Sequence, residues 1–450
     1  MADLRELTTD AKRLYEAMDE LLEKQDETKS EDIDFKEIWF GAKSRTFQGH
    51  IVEKLDEYEA DRYLKILSAM TALAEETNRK TIQIRFLARV LAARKNPKWT
   101  LADLVSDGKM LQEKTLDEIQ KLEREEVRVS LIVDLLIMIY LDGVPEERQL
   151  DYVVGLMALF GWKKEKTKAI GMIVKGILEQ DDDAIVAQHN KVDITDVYCY
   201  MKNVPDGRFV TDFELAKNTE ANKIIFKDLE WNQTDVVNLD LYKAEIIEFQ
   251  NCKFKKLMGM YNSKKTIVLT DCAFEDCEVE ENFLCLNNVV MERCRFARIK
   301  SIRTISWHLF AFLNAKIKNV RFEDILIKHM YDESKSINGE EYGYGGFIKA
   351  KDSLICDIDI NNLTTKWIEM ESSRPEYYYK RVIDIYGGRI VNWKIDECSL
   401  ACYSELFTFS EGTIKEEINV DHCNVHVSYG SNWGGKKDIS FEEMFKVKKV

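Results

Sequence analysis

Two apolar periodicities divide this chain of 450 residues. In the first 180 residues, apolar side chains recur every three or four positions, the spacing of one helix face; from residue 222 they recur in steps of three and two. The unit repeated in the second half is apolar, any residue, Asn or Asp, apolar, polar, apolar. Its first slot holds Phe226, Phe249, Leu269, Met291, Ile317, Ile355, Ile390 and Val420. The middle slot holds Leu229, Cys252, Cys272, Cys294, Val320, Ile358, Trp393 and Cys423, and the third holds Trp231, Phe254, Phe274, Phe296, Phe322, Ile360, Ile395 and Val425. Asp or Asn precedes the middle slot at 228, 251, 271, 319, 357 and 392, with Arg293 and His422 as the exceptions. Along a strand, side chains on one face recur every second residue. A step of three therefore keeps both apolar residues inside only if the chain bends between them. Asn and Asp tolerate the left-handed conformation that such a bend needs. A second step of three reaches Leu257, Cys277, Ile299, Ile325, Leu363 and Cys398 across polar pairs such as Glu275-Asp276. Each copy predicts strand, corner, short strand, corner.

Successive middle slots lie 23, 20, 22, 26, 38, 35 and 30 residues apart. Periods of this size mark solenoids, and short strands between sharp polar corners favour stacked strands over helical repeats. The prediction for 222–450 is a right-handed parallel β-helix with a C-terminal cap. Over about residues 222–430 it resembles, in architecture only, the pectate-lyase-like β-helix with its asparagine turn. The alternative is a two-sheet β-sandwich with ordinary turns. Residues 181–221, with Asp181-Asp182-Asp183 and Pro205-Asp206-Gly207, read as a connector that caps the open end of the solenoid.

The first half reads as helices. Residues 1–50 are an amphipathic helix with a stripe of Leu4, Leu7, Ala11, Leu14, Met18 and Leu21, followed by a polar linker turning aromatic at Phe35, Trp39, Phe40 and Phe47. That stripe packs on its own domain or forms a coiled-coil contact between two copies of the chain. Further helices are predicted near Val52–Ala74, from Lys80 to Arg94 with Asn96-Pro97 ending it, and from Leu116 to Leu141. Gly143 stops the last of these. Pro145 opens the next, where its missing N–H costs nothing. Glu146 and Glu147 fall in its first turn, where the helix dipole favours negative charge. Leu150, Val153, Val154, Met157 and Phe160 form its buried face, Gly161 ends it, and Lys163–Leu178 makes a further helix.

This run of an apolar helix, an Asp-Gly turn, acids opening the next helix, and a Gly-ended helix followed by a third resembles the tellurite-resistance TerB family over about 60 residues. Asp61–Arg94 reads as a degenerate first half of the same unit, with Glu75-Glu76 where Asp142-Gly143 fall. The resemblance implies an all-α domain over 51–180, a cytosolic or membrane-associated setting, and a place in stress-response or phage-defence systems. It also makes Asp142, Glu146 and Glu147 candidate ligands of a divalent cation, Ca²⁺ or Mg²⁺, which carboxylates suit. The competing reading is an ordinary helix junction with N-terminal acids and no cofactor.

Composition narrows the function. The net charge is −15, split −10 over residues 1–200 and −5 over the rest, with no basic block, which disfavours nucleic acid as a partner. Met1-Ala2-Asp3-Leu4-Arg5-Glu6 does not read as a signal peptide, and the longest apolar run, Leu131–Leu141, contains Asp134 and is too short to span a bilayer. The expectation is a cytoplasmic chain with no transmembrane segment. The cysteines sit in predicted inward slots, with Cys252, Cys272, Cys294 and Cys423 in one and Cys277 and Cys398 in another, where thiols pack as small hydrophobes.

Two intervals exceed the early repeat, and their surplus forms two excursions at 331–346 and 369–381. Tyr342, Tyr344, Arg374, Tyr377, Tyr378, Tyr379 and Arg381 lie in them, a Tyr-and-Arg mixture that interface hot spots prefer. The expected function is a non-enzymatic scaffold or sensor binding a protein partner through these loops. The alternative is a carbohydrate-active hydrolase or lyase, which would need two carboxylates across a cleft, with Glu340, Glu341, Glu371 and Glu376 as candidates. A third reading has the excursions merely covering the solenoid's flank. No Ser-His-Asp order, Cys-His nucleophile pair or phosphate-binding Gly loop stands out.

Overall fold

The computed structural model describes residues 33–108, 119, 121–141, 145–280, 282–301, 308–329, 346–367, 382–402, 407–410, 412–428 and 436–438. The chain divides into two compact units, residues 1–206 and 207–450. The first is helical and the second a mostly parallel sheet. Among the described residues no helix is long and apolar enough to cross a membrane.

In the helical unit, α1 is Phe35–Lys43, α2 Glu57–Leu73, α3 Thr77–Ala93, α4 Leu101–Gly108, α5 Glu125–Tyr140, α6 Glu147–Leu159, α7 Lys164–Glu179 and α8 Asp182–Val186. Asp56 caps α2 by accepting from the Glu59 N–H at 2.8 Å. Gly161, at φ 67°, follows α6, and the Trp162 N–H returns to the Met157 carbonyl, closing the last turn. Helix α6 begins at Glu147 with Glu146 at the cap position, so Pro145 lies just outside it rather than opening it. Helix α5 starts at Glu125, later than the apolar pattern suggests, and is buried from Val129 to Ile139. The amphipathic helix expected in residues 1–25 lies outside the described residues.

Two helical hairpins, α2–α3 and α5–α6, meet through reciprocal contacts. Gln83 on α3 donates to the Met138 carbonyl on α5 at 3.2 Å, and Gln149 on α6 donates to the Met70 carbonyl on α2 at 3.3 Å. The two amides also bond each other, at 3.2 and 3.3 Å, and both are fully buried. At the hairpin bends Arg79 pairs with Glu146 at 2.7 Å, and Arg148 with Glu75 at 3.1 Å. Each buried amide thus finds partners, as burial in an apolar interior requires.

In the second unit the repeated slots stack. Phe226 lies opposite Phe249, then Leu269, Met291, Ile317, Ile355 and Ile390 in parallel register. The third slot gives a column of rings: Phe254, Phe274, Phe296 and Phe322 stack at centroid distances of 4.7, 4.7 and 5.0 Å with planes within 11°. Cys252, Cys272 and Cys294 are buried in one column with their thiols in contact. The corners are left-handed as the spacing requires: Asp228, Asn251, Asp271, Asn319, Asp357 and Asn392 take φ of 50–55°, and Arg293 follows at 53°. Neighbouring corner side chains bond, as Asn251 to Asp228 and Asn392 to Asp357, each at 2.7 Å. A second corner column runs through Lys256, Asp276, Arg298, Asp324 and Asn362 at φ 53–59°.

The last copy is set differently from the pattern's assignment. Ile418, not Cys423, lies opposite Trp393, and Val420 lies opposite Ile395. The first corner there is Glu417 at φ 54°, and His422 at 48° is the second corner, matching Glu397. Both corners share the same three-residue step, so without Asn or Asp at 417 the spacing alone locks onto the wrong one. Cys423 therefore belongs to the column of Cys277 and Cys398.

At the start of the stack, the short helix α9, Phe213–Lys217, puts Phe213 and Ala216 into the same core, with Phe213 stacked on Phe226 at 4.5 Å. Residues 207–221 thus cover that end, whereas 181–206 fold with the helical unit.

Candidate functional site

The two excursions are rooted side by side. The strands Lys316–His329 and Ile348–Trp367 pair His329 with Trp367 where the chain leaves the sheet, and Ile348 with Ile383 where it returns. The outer sheet face next to their roots follows from strand alternation. Phe310, Ile348 and Ile383 point into the core, so their neighbours Ala311, Lys349 and Asp384, aligned in register, occupy the opposite face. His308, just before the strand Phe310–Leu313, reaches across this face to Asp384, with Nε2 3.2 Å from Oδ2. Both side chains are over nine-tenths buried. Gly346 makes the crossing possible, because a Cβ there would stand 2.6 Å from His308 Cδ2 and 2.7 Å from the Val382 carbonyl. Lys349 lies opposite Asp384 in register, its ammonium 5.8 Å from the Tyr386 ring centroid. The described part of the candidate site is therefore an imidazole, a carboxylate and an ammonium on or next to paired strands. The His308–Asp384 approach is a close imidazole–carboxylate contact without hydrogen-bond geometry at Nε2.

Tyr342, Tyr344, Arg374, Tyr377, Tyr378, Tyr379 and Arg381 lie outside the described residues, as does Asp142. Glu146 is half-buried and already faces the Arg79 guanidinium, with the Glu75 N–H 3.4 Å away; Glu147 is exposed in the first turn of α6. Among the described residues no group of three or more His, Cys, Asp and Glu is placed to hold a metal ion.

The spacing argument missed two sites. One is the His308–Asp384 contact, which joins strands far apart in sequence and leaves no periodic trace. The other is a buried network around Asp134, in the middle of α5. Its Oδ2 accepts from the Tyr63 hydroxyl at 2.7 Å and lies 3.0 Å from His50 Nε2; its Oδ1 accepts from the Tyr200 hydroxyl at 2.6 Å. The Val52 N–H donates to His50 Nδ1 at 3.1 Å, so the ring proton sits on Nε2 and faces the carboxylate. Burial and the carboxylate together push the Tyr63 and Tyr200 phenols well above their ordinary range. His50, Tyr63 and Asp134 are no more than 1% exposed, so this network pins the helical unit rather than meeting a ligand. The signal that could have found it was Asp134 itself, a single acid inside an apolar helix.

A groove of about 690 Å³ follows the first corner past Arg293, Arg295, Arg321, Asp357, Asp359 and Lys394. Its cations are engaged by neighbouring acids, Arg293 by Asp271 at 2.6 Å and Arg295 by Glu323 at 2.6 Å among them.

No family model and no curated protein matches the chain. Among solved structures, the gp42 tailspike of Acinetobacter phage vb_AbaP_AS12 is matched over 49% of this chain and 42% of its own, with 9% identity and a TM-score of 0.19. The chain spans less than half the length of that tailspike, and a likeness at that score carries no argument about function.

Proposed function

We propose that this chain is a non-enzymatic interaction module, in which a right-handed parallel β-helix presents its two excursions to a protein partner. The observation that carries the reading is the paired rooting of the excursions, leaving at His329 and Trp367 and returning at Ile348 and Ile383 on strands fixed in register. Long loops rooted on adjacent rigid strands favour a shared binding surface, and Tyr and Arg in those loops suit rigid, amphipathic contact. The His308–Asp384 contact beside Gly346, at the return of the first excursion, supports the reading of a fixed loop root. The helical unit is read as TerB-like from its sequence run. The reciprocal contacts of its two hairpins support the duplication that the reading includes. A stress-response or defence setting, in a bacterial cytoplasm, follows from that resemblance alone.

The test is affinity capture with the wild type and with Tyr377→Ala, Tyr378→Ala and Tyr379→Ala combined, followed by direct binding measurements on any protein retained. The reading expects a partner that the triple variant loses while its circular dichroism is unchanged. An identical partner set with both proteins removes it. A second reading, a carbohydrate-active enzyme, is favoured by the Asp384 carboxylate on the strand where the second excursion returns. It requires turnover of an oligosaccharide that disappears in Asp384→Asn and in Glu371→Gln.

A further inference from the structure

The column that holds Cys398 and Cys423 differs from the other cysteine column in one respect: its last member is only half-buried. Asp396 lies opposite Asp421, and Ser399 opposite Asn424, so Cys398 and Cys423 occupy the same position on neighbouring rungs. Each follows a left-handed corner residue, Glu397 or His422, that turns it inward. Each thiol lies near the carbonyl two residues before it, Cys398 Sγ 3.1 Å from the Asp396 oxygen and Cys423 Sγ 3.1 Å from that of Asp421. The two sulfurs are also in contact with each other. Parallel neighbours stand roughly 4.8 Å apart. That lies within the Cα separation of roughly 4.4–6.8 Å that a disulfide spans.

We propose that Cys423 and Cys398 form a thiol–disulfide exchange pair, Cys423 attacking a low-molecular-weight disulfide such as oxidised glutathione and Cys398 resolving the adduct into a cross-link between the two rungs. In the first step the Cys423 thiolate attacks one glutathione sulfur. A mixed disulfide forms, the glutathione S–S bond breaks, and glutathione thiolate leaves. In the second step the Cys398 sulfur, having released its proton to solvent, attacks Cys423 Sγ, and the second glutathione thiolate departs. The protein loses two electrons and two protons in all, and one oxidised glutathione becomes two reduced ones. The division of roles follows from exposure. Cys398 is 2% exposed, and its thiol is pushed up by the neighbouring sulfur and by burial. Cys423 is reachable, and donation from the Cys398 thiol and backbone N–H brings its own down to about 7.

Five other cysteines on the sheet unit provide internal comparisons. Cys252, Cys272 and Cys294 stack in the same way but are all buried, so no small oxidant reaches the first thiol. Cys285 is half-exposed but lies between Tyr261 and Ala311, and Cys356 between Lys318 and Val391, so neither has a resolving partner.

The test exposes the folded full-length protein to oxidised glutathione, quenches with acid, alkylates the remaining thiols and maps the peptides by mass spectrometry. In the wild type an intramolecular Cys398–Cys423 cross-link is expected, and dithiothreitol should remove it. Cys398→Ser should stop at a glutathionyl group on Cys423, and Cys423→Ser should yield neither product. Cys398→Ala, checked by circular dichroism, repeats the arrest with a side chain that suits the buried slot. The proposal is overturned if Cys423 stays unmodified in wild type and both Cys398 variants. It is equally overturned if the cross-link joins Cys423 of two chains, or if glutathione marks Cys285 and Cys356 as readily as Cys423.

Discussion

Tyr200→Phe isolates the grip of the Asp134 network on the end of the helical unit. The substitution removes one hydroxyl and leaves the ring contacts, 4.9 Å to Phe47 and 6.3 Å to Phe86, in place. What is lost is the 2.6 Å bond to Asp134 Oδ1, a part-buried hydrogen bond to a carboxylate, together with the hydroxyl's 3.1 Å contact with His50 Nε2. Bonds to charged groups contribute about 1.5–3 kcal/mol. At about 1.36 kcal/mol per factor of ten, this raises the open population of the Thr195–Tyr200 turn by about 10- to 150-fold. Hydrogen exchange read by mass spectrometry on peptides covering residues 195–206 measures that population directly. Tyr58→Phe serves as the control, since Tyr58 is 60% exposed and its hydroxyl is remote from the network. Exchange in Tyr200→Phe within twofold of the wild type would refute the reasoning, because Asp134 would then not be what holds the turn. Asp134→Ala should do more harm than either Tyr63→Phe or Tyr200→Phe, since it takes the shared acceptor from Tyr63, Tyr200 and His50 at once and leaves only the 3.1 Å contact between Tyr200 and His50. A smaller effect would mean that burying the carboxylate costs more than its bonds return.

Three further outcomes are expected. Phe274→Ala, which empties a fully buried site between two stacked rings, should destabilise the sheet unit by about 3–5 kcal/mol in urea unfolding, and Phe274→Leu should cost clearly less. Asn319→Val should lose about 1–2 kcal/mol because a branched side chain is strained in the left-handed region, whereas Asn319→Gly should be near neutral; equal losses would place the effect elsewhere than in its φ of 54°. The Glu275 carboxyl is held below its ordinary range chiefly by its bond to Lys253, with Arg298 and Arg295 adding to it. A depressed folded pKa gives stability that is present above the ordinary glutamate value and fades as pH falls through the depressed one. Glu275→Gln should therefore flatten the acid limb of the stability profile below that ordinary value and leave its alkaline limb unchanged.

Most of the sheet unit was legible because its core repeats. Seven of the eight copies have their first-slot residue in the predicted column, and the corner residues named from spacing adopt the left-handed conformation. The spacing failed where a corner carries Glu417, an identity that gives no hint of positive φ, and the eighth copy slipped to the next corner. In the helical unit the stops at Gly161 and the acids of α6 were readable from local chemistry. The partners of Asp134 were not, because His50, Tyr63 and Tyr200 come from three separate segments and no local rule links them. The His308–Asp384 contact was invisible for the same reason: Gly346 falls at the edge of a predicted loop, yet its missing Cβ is what lets His308 pass.

The rungs do not vary evenly in length. Phe310 meets Ile348 and Ile317 meets Ile355 by the same offset, and the equality holds again from Ile348–Ile383 to Ile355–Ile390. Between the first slot and the second corner the spacing is likewise constant, so almost all extra sequence in these rungs enters on one side, ahead of the return strands. Foreign peptides spliced into 330–345 or 368–381 would leave every core column in step. In these repeats the added sequence is thus confined to one flank, which can diversify while the paired strands on either side of it keep their register.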